Sequence, residues 1–255
     1  MLAEAEERPV VGWDFTWLGE RISTKRLPWN FERIVIAHSR RSPDLLDMGT
    51  GGGEWLSTLE HRPLRTVATE AWPPSVEIAR TRLEPMGISV VALEAAPDNA
   101  EQKTGETQPQ LPFADGSFSL VVNRHESFLA AEIARVLAPA GTFLTQQVGG
   151  DYNEFRDALG LGAKKPRLLW DRELATRQLE AVGMEVVEGE DGAEEISFAD
   201  AGALAWYLKA IPWVVEGFSI ASHRAQLDRF QARCETSGPV TIGQPAFWLK
   251  AVRAA

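Results

Sequence analysis

The run Asp44-Leu45-Leu46-Asp47-Met48-Gly49-Thr50-Gly51-Gly52-Gly53 constrains this chain more than any other stretch. A short apolar segment ends in a carboxylate and breaks into four glycines, and Glu54 to Leu59 follows with a helix-like pattern. Strand, glycine loop and helix open a parallel α/β unit, in which main-chain N–H groups and a helix N-terminus come up against a ligand. Glycine serves such a loop twice: it tolerates positive φ, and it carries no Cβ to hold the ligand away.

Spacing narrows the ligand. A dinucleotide fingerprint needs G-x-G-x-x-G, but Glu54 and Leu56 stand where the third glycine should fall. A phosphate loop needs a Lys after its glycines, and none follows. What stands here is Asp47-x-Gly49-x-Gly51-x-Gly53. This resembles the first motif of the class I S-adenosylmethionine-dependent methyltransferases, in their type 11-like form. The resemblance implies that Asp47, Gly49, Thr50, Gly51 and Gly53 bind S-adenosyl-L-methionine, the loop wrapping its methionine portion and Asp47 helping to hold the ammonium group. The alternative is a tight strand-to-helix turn that holds no ligand.

A second match lies downstream. Leu111-Pro112-Phe113, the Asp115-Gly116-Ser117-Phe118 step and an apolar strand through Val122 resemble the same family's fourth-strand region. Asp115-Gly116 turns the chain, and Phe118 to Val122 suits a buried parallel strand. The resemblance covers residues 44–149 well and the remainder loosely. It implies a doubly wound, mostly parallel seven-stranded sheet of the Rossmann-like methyltransferase fold. Residues 1–41 are then an N-terminal tail and helical lid, and residues 42–255 the methyltransferase domain, with an insertion after the fifth strand at about 150–215.

Further residues take roles from position. Leu64 to Glu70 is a second short strand ending in an acid, and a carboxylate there accepts ribose hydroxyls in nucleotide-binding α/β folds. Glu70 is therefore assigned to the cofactor sugar. Trp72-Pro73-Pro74 turns the chain, Trp72 being read as a cover for the adenosine or as a packing residue, and Ser75 is expected to cap the next helix. Ile88 to Leu93 reads as the third strand. Residues 95–110 show no periodicity and read as a mobile loop; the family's adenine-binding acid would be Glu94 or Glu106, each imperfectly placed. Asn123-Arg124-His125-Glu126 ends the fourth strand, the edge where open α/β sheets bind ligands. Asn123 is assigned to the cofactor. His125 is read as general base or substrate partner, with Glu126 orienting it or capping a helix, against the alternative of a helix-entry histidine bonded to main chain.

Trp13, Trp17, Trp29 and Trp55 all precede residue 60, which suits a lid whose aromatic faces exclude water. In the family, late insertions build the acceptor pocket. Trp13, Trp17, Trp206, Tyr207 and Trp213 are accordingly expected as substrate walls, although Leu204, Tyr207, Leu208 and Ile211 also have the spacing of a core stripe.

Composition excludes other classes. The formal charge of −10 argues against a large nucleic-acid footprint. One cysteine, Cys234, rules out an intrachain disulfide and a cysteine-based zinc site. No run approaches the roughly 20 apolar residues of a membrane span, and the acidic start is unlike a signal peptide. The expectation is a metal-free cytoplasmic enzyme transferring methyl to a small-molecule acceptor. Alternatives are an rRNA methyltransferase, or a domain that binds the cofactor without catalysis. A nicotinamide oxidoreductase conflicts with the glycine spacing.

Overall fold

The computed structural model describes residues 1–10, 15–100, 109–164 and 169–254. In chain order it contains helix α1 (Leu2–Glu7), a 3-10 turn (Thr16–Arg21), β1 (Ile22–Lys25), α2 (Phe31–Ser39), β2 (Asp44–Met48), α3 (Glu54–Thr58), β3 (Arg65–Glu70), α4 (Pro73–Leu83) and β4 (Ser89–Ala92). Then come β5 (Phe118–Arg124), α5 (Ala130–Val136), β6 (Leu137–Val148), α6 (Asn153–Ala158), α7 (Arg172–Glu180), β7 (Met184–Phe198), α8 (Ala201–Ala210), α9 (Arg224–Ser237) and β8 (Val240–Arg253). Hydrogen-bonded neighbours run β1-β7-β8-β6-β5-β2-β3-β4. The sheet thus has eight strands among the described residues, where seven were expected. The addition is β1, four residues with little apolar alternation, which becomes a strand by antiparallel pairing of Ile22–Lys25 with Glu195–Phe198.

The chain divides into two compact units. One comprises Met1–Leu27, Gly149–Arg167 and Gly192–Pro245; the other comprises Pro28–Val148, Leu168–Asp191 and Ala246–Ala255. The segment read as an N-terminal lid therefore divides between them.

The second unit is the doubly wound part. β2 lies parallel to β3 and β5, β3 parallel to β4, and β5 parallel to β6, while β8 runs antiparallel to β6. Side chains alternate across a strand. Accordingly Leu45 joins Phe31, Val35, Leu56 and Leu83 from α2, α3 and α4 in one core, whereas Leu46 joins Ile133, Val136, Ala175 and Leu179 from α5 and α7 in the other. Asp44 pins the strand starts together. It accepts from the Ser119 main-chain N–H at 2.6 Å and from Arg65 at 3.0 Å.

Two local expectations change. Ser75 lies buried inside the first turn of α4, not at its cap; Trp72 caps, because two prolines at the helix start need no partner for a missing N–H. The fifth strand begins at Leu137, five residues early, since the Pro139-Ala140-Gly141 stretch is a bulge between the Phe118–Leu137 and Leu120–Thr142 pairs.

The first unit has its own aromatic core. Trp206 (2% exposed) meets Phe15 edge-on at 5.7 Å and Trp17 at 5.5 Å, and Tyr207 stacks on Phe155 at 5.9 Å. Cys234 is buried there, as its apolar spacing suggested. Arg21 and Asp200 form a two-pronged ion pair (2.8 and 2.7 Å), and Asp200 also caps α8 through the Ala203 N–H. Among the described residues no helix is long and apolar enough to cross a membrane, and no His, Cys, Asp and Glu cluster has metal-holding geometry.

Candidate functional site

Parallel pairing aligns the carboxyl ends of β2, β3 and β5, and the second unit builds a cavity there. It holds about 480 Å³ of unfilled space, partly open to solvent, and Gly49, Glu70 and Glu126 all line it. Leu93, Glu94 and Leu111 form a further part of its wall.

The three alternating glycines share positive φ: 70° at Gly49, 60° at Gly51 and 78° at Gly53. Their reasons for lacking a side chain differ. A Cβ on Gly49 would fall 2.4 Å from the Glu126 Cβ, and one on Gly53 would fall 2.7 Å from Leu83. Gly51 alone faces open space, with nothing within 4 Å. The loop is tied down at Thr50, whose N–H donates to the Thr69 carbonyl at 2.9 Å, and at Gly52, whose carbonyl accepts from Arg82.

Glu70 is bound to that loop. Its Oε2 accepts from the Gly51 N–H at 2.7 Å, and its Oε1 accepts from the Ala71 and Trp72 N–H groups at 3.0 and 2.8 Å. A carboxylate offers about four lone-pair positions, so one stays open in this arrangement and a second opens if Gly51 lets go.

Asp47 and Glu126 complete an acidic set around the loop. Burial pushes Asp47 up to about 7; Glu70 adds to the shift, and the Arg124 charge opposes it. The Thr50 hydroxyl, buried and short of a hydrogen bond with normal geometry, also lies close enough to oppose it. Burial likewise lifts Glu126 to about 7, with repulsion from Glu70 contributing. Carboxylates this crowded bind a proton, or a positively charged ligand, in preference to standing bare.

Asn123 is fully buried. Its Oδ1 accepts from Thr145 (3.0 Å) and Gln147 (2.5 Å), and its Nδ2 has no partner. It is outside the cavity wall. His125 is exposed, although protein surrounds it closely enough for desolvation and Arg124 to hold its pKa below the ordinary histidine value. Solvent contact moderates that shift. Its Nε2 faces the Gln146 amide nitrogen at 3.1 Å, so that ring nitrogen is already engaged. Glu126 points along Gly49 instead of orienting His125.

A clamp that the sequence reading passed over holds the far wall. Glu132 accepts the Leu111 N–H at 2.7 Å, while Arg135 donates to the Leu111 and Phe113 carbonyls at 2.9 and 2.7 Å and to Glu132 at 2.6 Å. Burial alone would raise Glu132, but Arg135 and the Leu111 N–H outweigh it and hold the acid below its ordinary range. The i, i+3 spacing of Glu132 and Arg135 was the available signal. In the segment read as a mobile loop, Asn99 is buried and accepts the Phe128 N–H at 3.0 Å. Glu106 and the rest of 101–108 lie outside the described residues. Glu94 lines the cavity and is exposed.

Of the aromatics expected as acceptor walls, Trp13 lies outside the described residues, and Trp17, Trp206 and Tyr207 belong to the first unit's aromatic core. Trp213 is exposed (56%). Trp72, expected over the adenosine, is also exposed (49%) and does not line the cavity.

Known proteins place the fold. A family model described as a methyltransferase domain matches residues 46–145. No curated protein matches the sequence. A candidate methyltransferase from Bacillus halodurans superposes with a TM-score of 0.55 at 17% identity, covering 83% of this chain and 93% of that one. The YcgJ protein of Bacillus subtilis gives 0.55 at 16% identity, with 88% and 98% covered. A candidate sarcosine dimethylglycine methyltransferase from Galdieria sulphuraria gives 0.50 at 12%, with 88% and 84% covered. The glycine loop, Glu70 and the fourth strand all fall inside the span that the methyltransferase-domain model matches, and the chain shares its fold with those solved structures.

Proposed function

We propose that this chain transfers the methyl group of S-adenosyl-L-methionine to a small-molecule acceptor. One observation carries the reading: three carboxylates, Asp47, Glu70 and Glu126, surround a glycine loop whose middle glycine faces open space. A cofactor with a sugar, an ammonium group and a sulfonium suits that set. Glu70 would accept from the ribose hydroxyls, Asp47 and Glu126 would neutralise positive charge, and Leu93 and Leu111 would flank the base, with Glu94 near its amine. Gly51 would leave room for the methionine portion. Asn123 would act through Thr145 and Gln147, by stiffening the strand ends.

When bound, the cofactor supplies a methyl group already activated by the sulfonium. The chain's own task is then to align the acceptor and exclude water. That task needs no nucleophile–base pair. The net charge of −10 favours a small acceptor over RNA.

Incubating the protein with the cofactor and fractionated metabolites tests the reading. Release of S-adenosylhomocysteine dependent on one fraction is expected. Binding without release from any fraction, small molecule or RNA, would leave a non-catalytic binder.

A further inference from the structure

The starting point is a donor that cannot accept. The Trp29 indole Nε1–H donates to Gln146 Oε1 at 2.9 Å, and this identifies which end of the Gln146 amide is oxygen. The other end, an NH₂ group that only donates, is the one 3.1 Å from His125 Nε2. His125 Nε2 therefore presents its lone pair to Gln146, and the neutral ring carries its proton on Nδ1. Protonating the ring would set N–H against N–H.

The backbone is held by the same partner. The His125 N–H donates to the Gln146 carbonyl at 2.9 Å, and His125 has φ 61°, a left-handed conformation unusual for a residue with a side chain. Such strain is kept where surrounding structure enforces it, often at binding sites. Its position agrees: His125 directly follows β5 and precedes Glu126 of the cavity wall, and it is exposed. Among the described residues no group accepts from Nδ1.

We propose that His125 is a substrate-binding hydrogen-bond donor: its Nδ1–H, fixed in that tautomer by Gln146 and Trp29, holds an accepting oxygen of the methyl acceptor. The acceptor substrate thus carries a carbonyl or carboxylate oxygen, and His125 does not remove its proton. The assignment of substrate class rests on the methyl-transfer reading, whereas the tautomer stands independently of it.

Long-range ¹H–¹⁵N correlation on the full chain, with histidine labelled and His125→Gln used for assignment, reads the tautomer directly. At neutral pH a neutral ring with Nδ1–H is expected. In Gln146→Leu, which removes the directing amide, a mixture of tautomers is expected. An Nε2–H or cationic ring in the wild-type protein overturns the proposal whether or not the variant folds.

Titration with acetate, acetamide and methylammonium in the presence of S-adenosylhomocysteine tests the substrate class. The His125 Nδ1 resonance should move with acetate, with acetamide, or with both, which separates carboxylate from carbonyl recognition. It should not move with methylammonium. Silence toward both oxygen probes overturns the oxygen assignment. S-adenosylhomocysteine binding, followed separately by calorimetry, shows whether the cofactor reading has failed instead.

Discussion

The Gly51 amide nitrogen lies 2.7 Å from a carboxylate oxygen of Glu70, so the acid at the end of one strand closes the glycine loop that follows the strand beside it. The carboxylate that would hold a sugar is thereby positioned by the loop that would hold the rest of the cofactor. Two hydroxyls require Gly51 to give up this bond. Glu70→Gln places an NH₂ donor among three N–H donors and removes the charge. Hydrogen bonds to charged groups contribute about 1.5–3 kcal/mol, so S-adenosylhomocysteine affinity should fall by at least tenfold in calorimetry, with a lowered Tm. Unchanged affinity would remove Glu70 from the site.

The loop glycines should separate in their stability effects. Gly51→Ala meets only the left-handed backbone cost of about 1–2 kcal/mol. Gly49→Ala meets that cost and drives its Cβ into Glu126, a clash that adds about 1–3 kcal/mol. Urea unfolding should rank Gly49→Ala clearly below Gly51→Ala. Equal losses would show that Glu126 swings away without cost.

Sequence alone reached the strand–loop–helix unit because its signals are local: an apolar run, an acid, spaced glycines. β2 and the helix after the loop fall where they were expected. It missed why Gly49 is glycine, since the group that fills its space is Glu126, far along the chain and brought there by β5 pairing. The same limit hid β1, whose Ile22-Ser23-Thr24-Lys25 has no strand pattern until residues 195–198 pair with it. Trp206 and Tyr207 were ambiguous for another reason. An apolar stripe reads alike whether it faces a core or a pocket, and Trp206 proved to be core. His125 was found by position, but its tautomer depends on an indole and an amide from two other parts of the chain.

Stability should carry the mark of the buried acids. Asp47 and Glu126 have folded-state pKa values raised to about 7, above those of the unfolded chain. The folded protein therefore binds more protons between about pH 4 and 7, and the contribution of these groups is greatest below pH 4 and lost as pH rises through 7. Other groups titrate as well, so the informative quantity is a difference. Relative to Asp47→Asn, wild-type stability in denaturant titrations should fall between pH 5 and 8. A difference independent of pH would mean that Asp47 is ionised throughout.

Arg135 should prove indispensable to the cavity wall. Arg135→Ala frees the Leu111 and Phe113 carbonyls and strands Glu132, and about 1–3 kcal/mol of stability should be lost. Arg135→Lys should rescue little, because an ammonium lacks the planar fork that serves carbonyl and carboxylate together. Chemical denaturation of both variants checks this; full rescue by Lys would reduce the clamp to a charge effect.

Isothermal calorimetry of the full chain with S-adenosylhomocysteine and with NAD, in wild type and in Gly51→Val, bears most directly on the cofactor. Tight S-adenosylhomocysteine binding, negligible NAD binding, and loss of the former in a folded Gly51→Val protein are expected. NAD binding more tightly, or a Gly51→Val protein with undiminished affinity, would contradict the assignment of this loop to a sulfonium nucleoside.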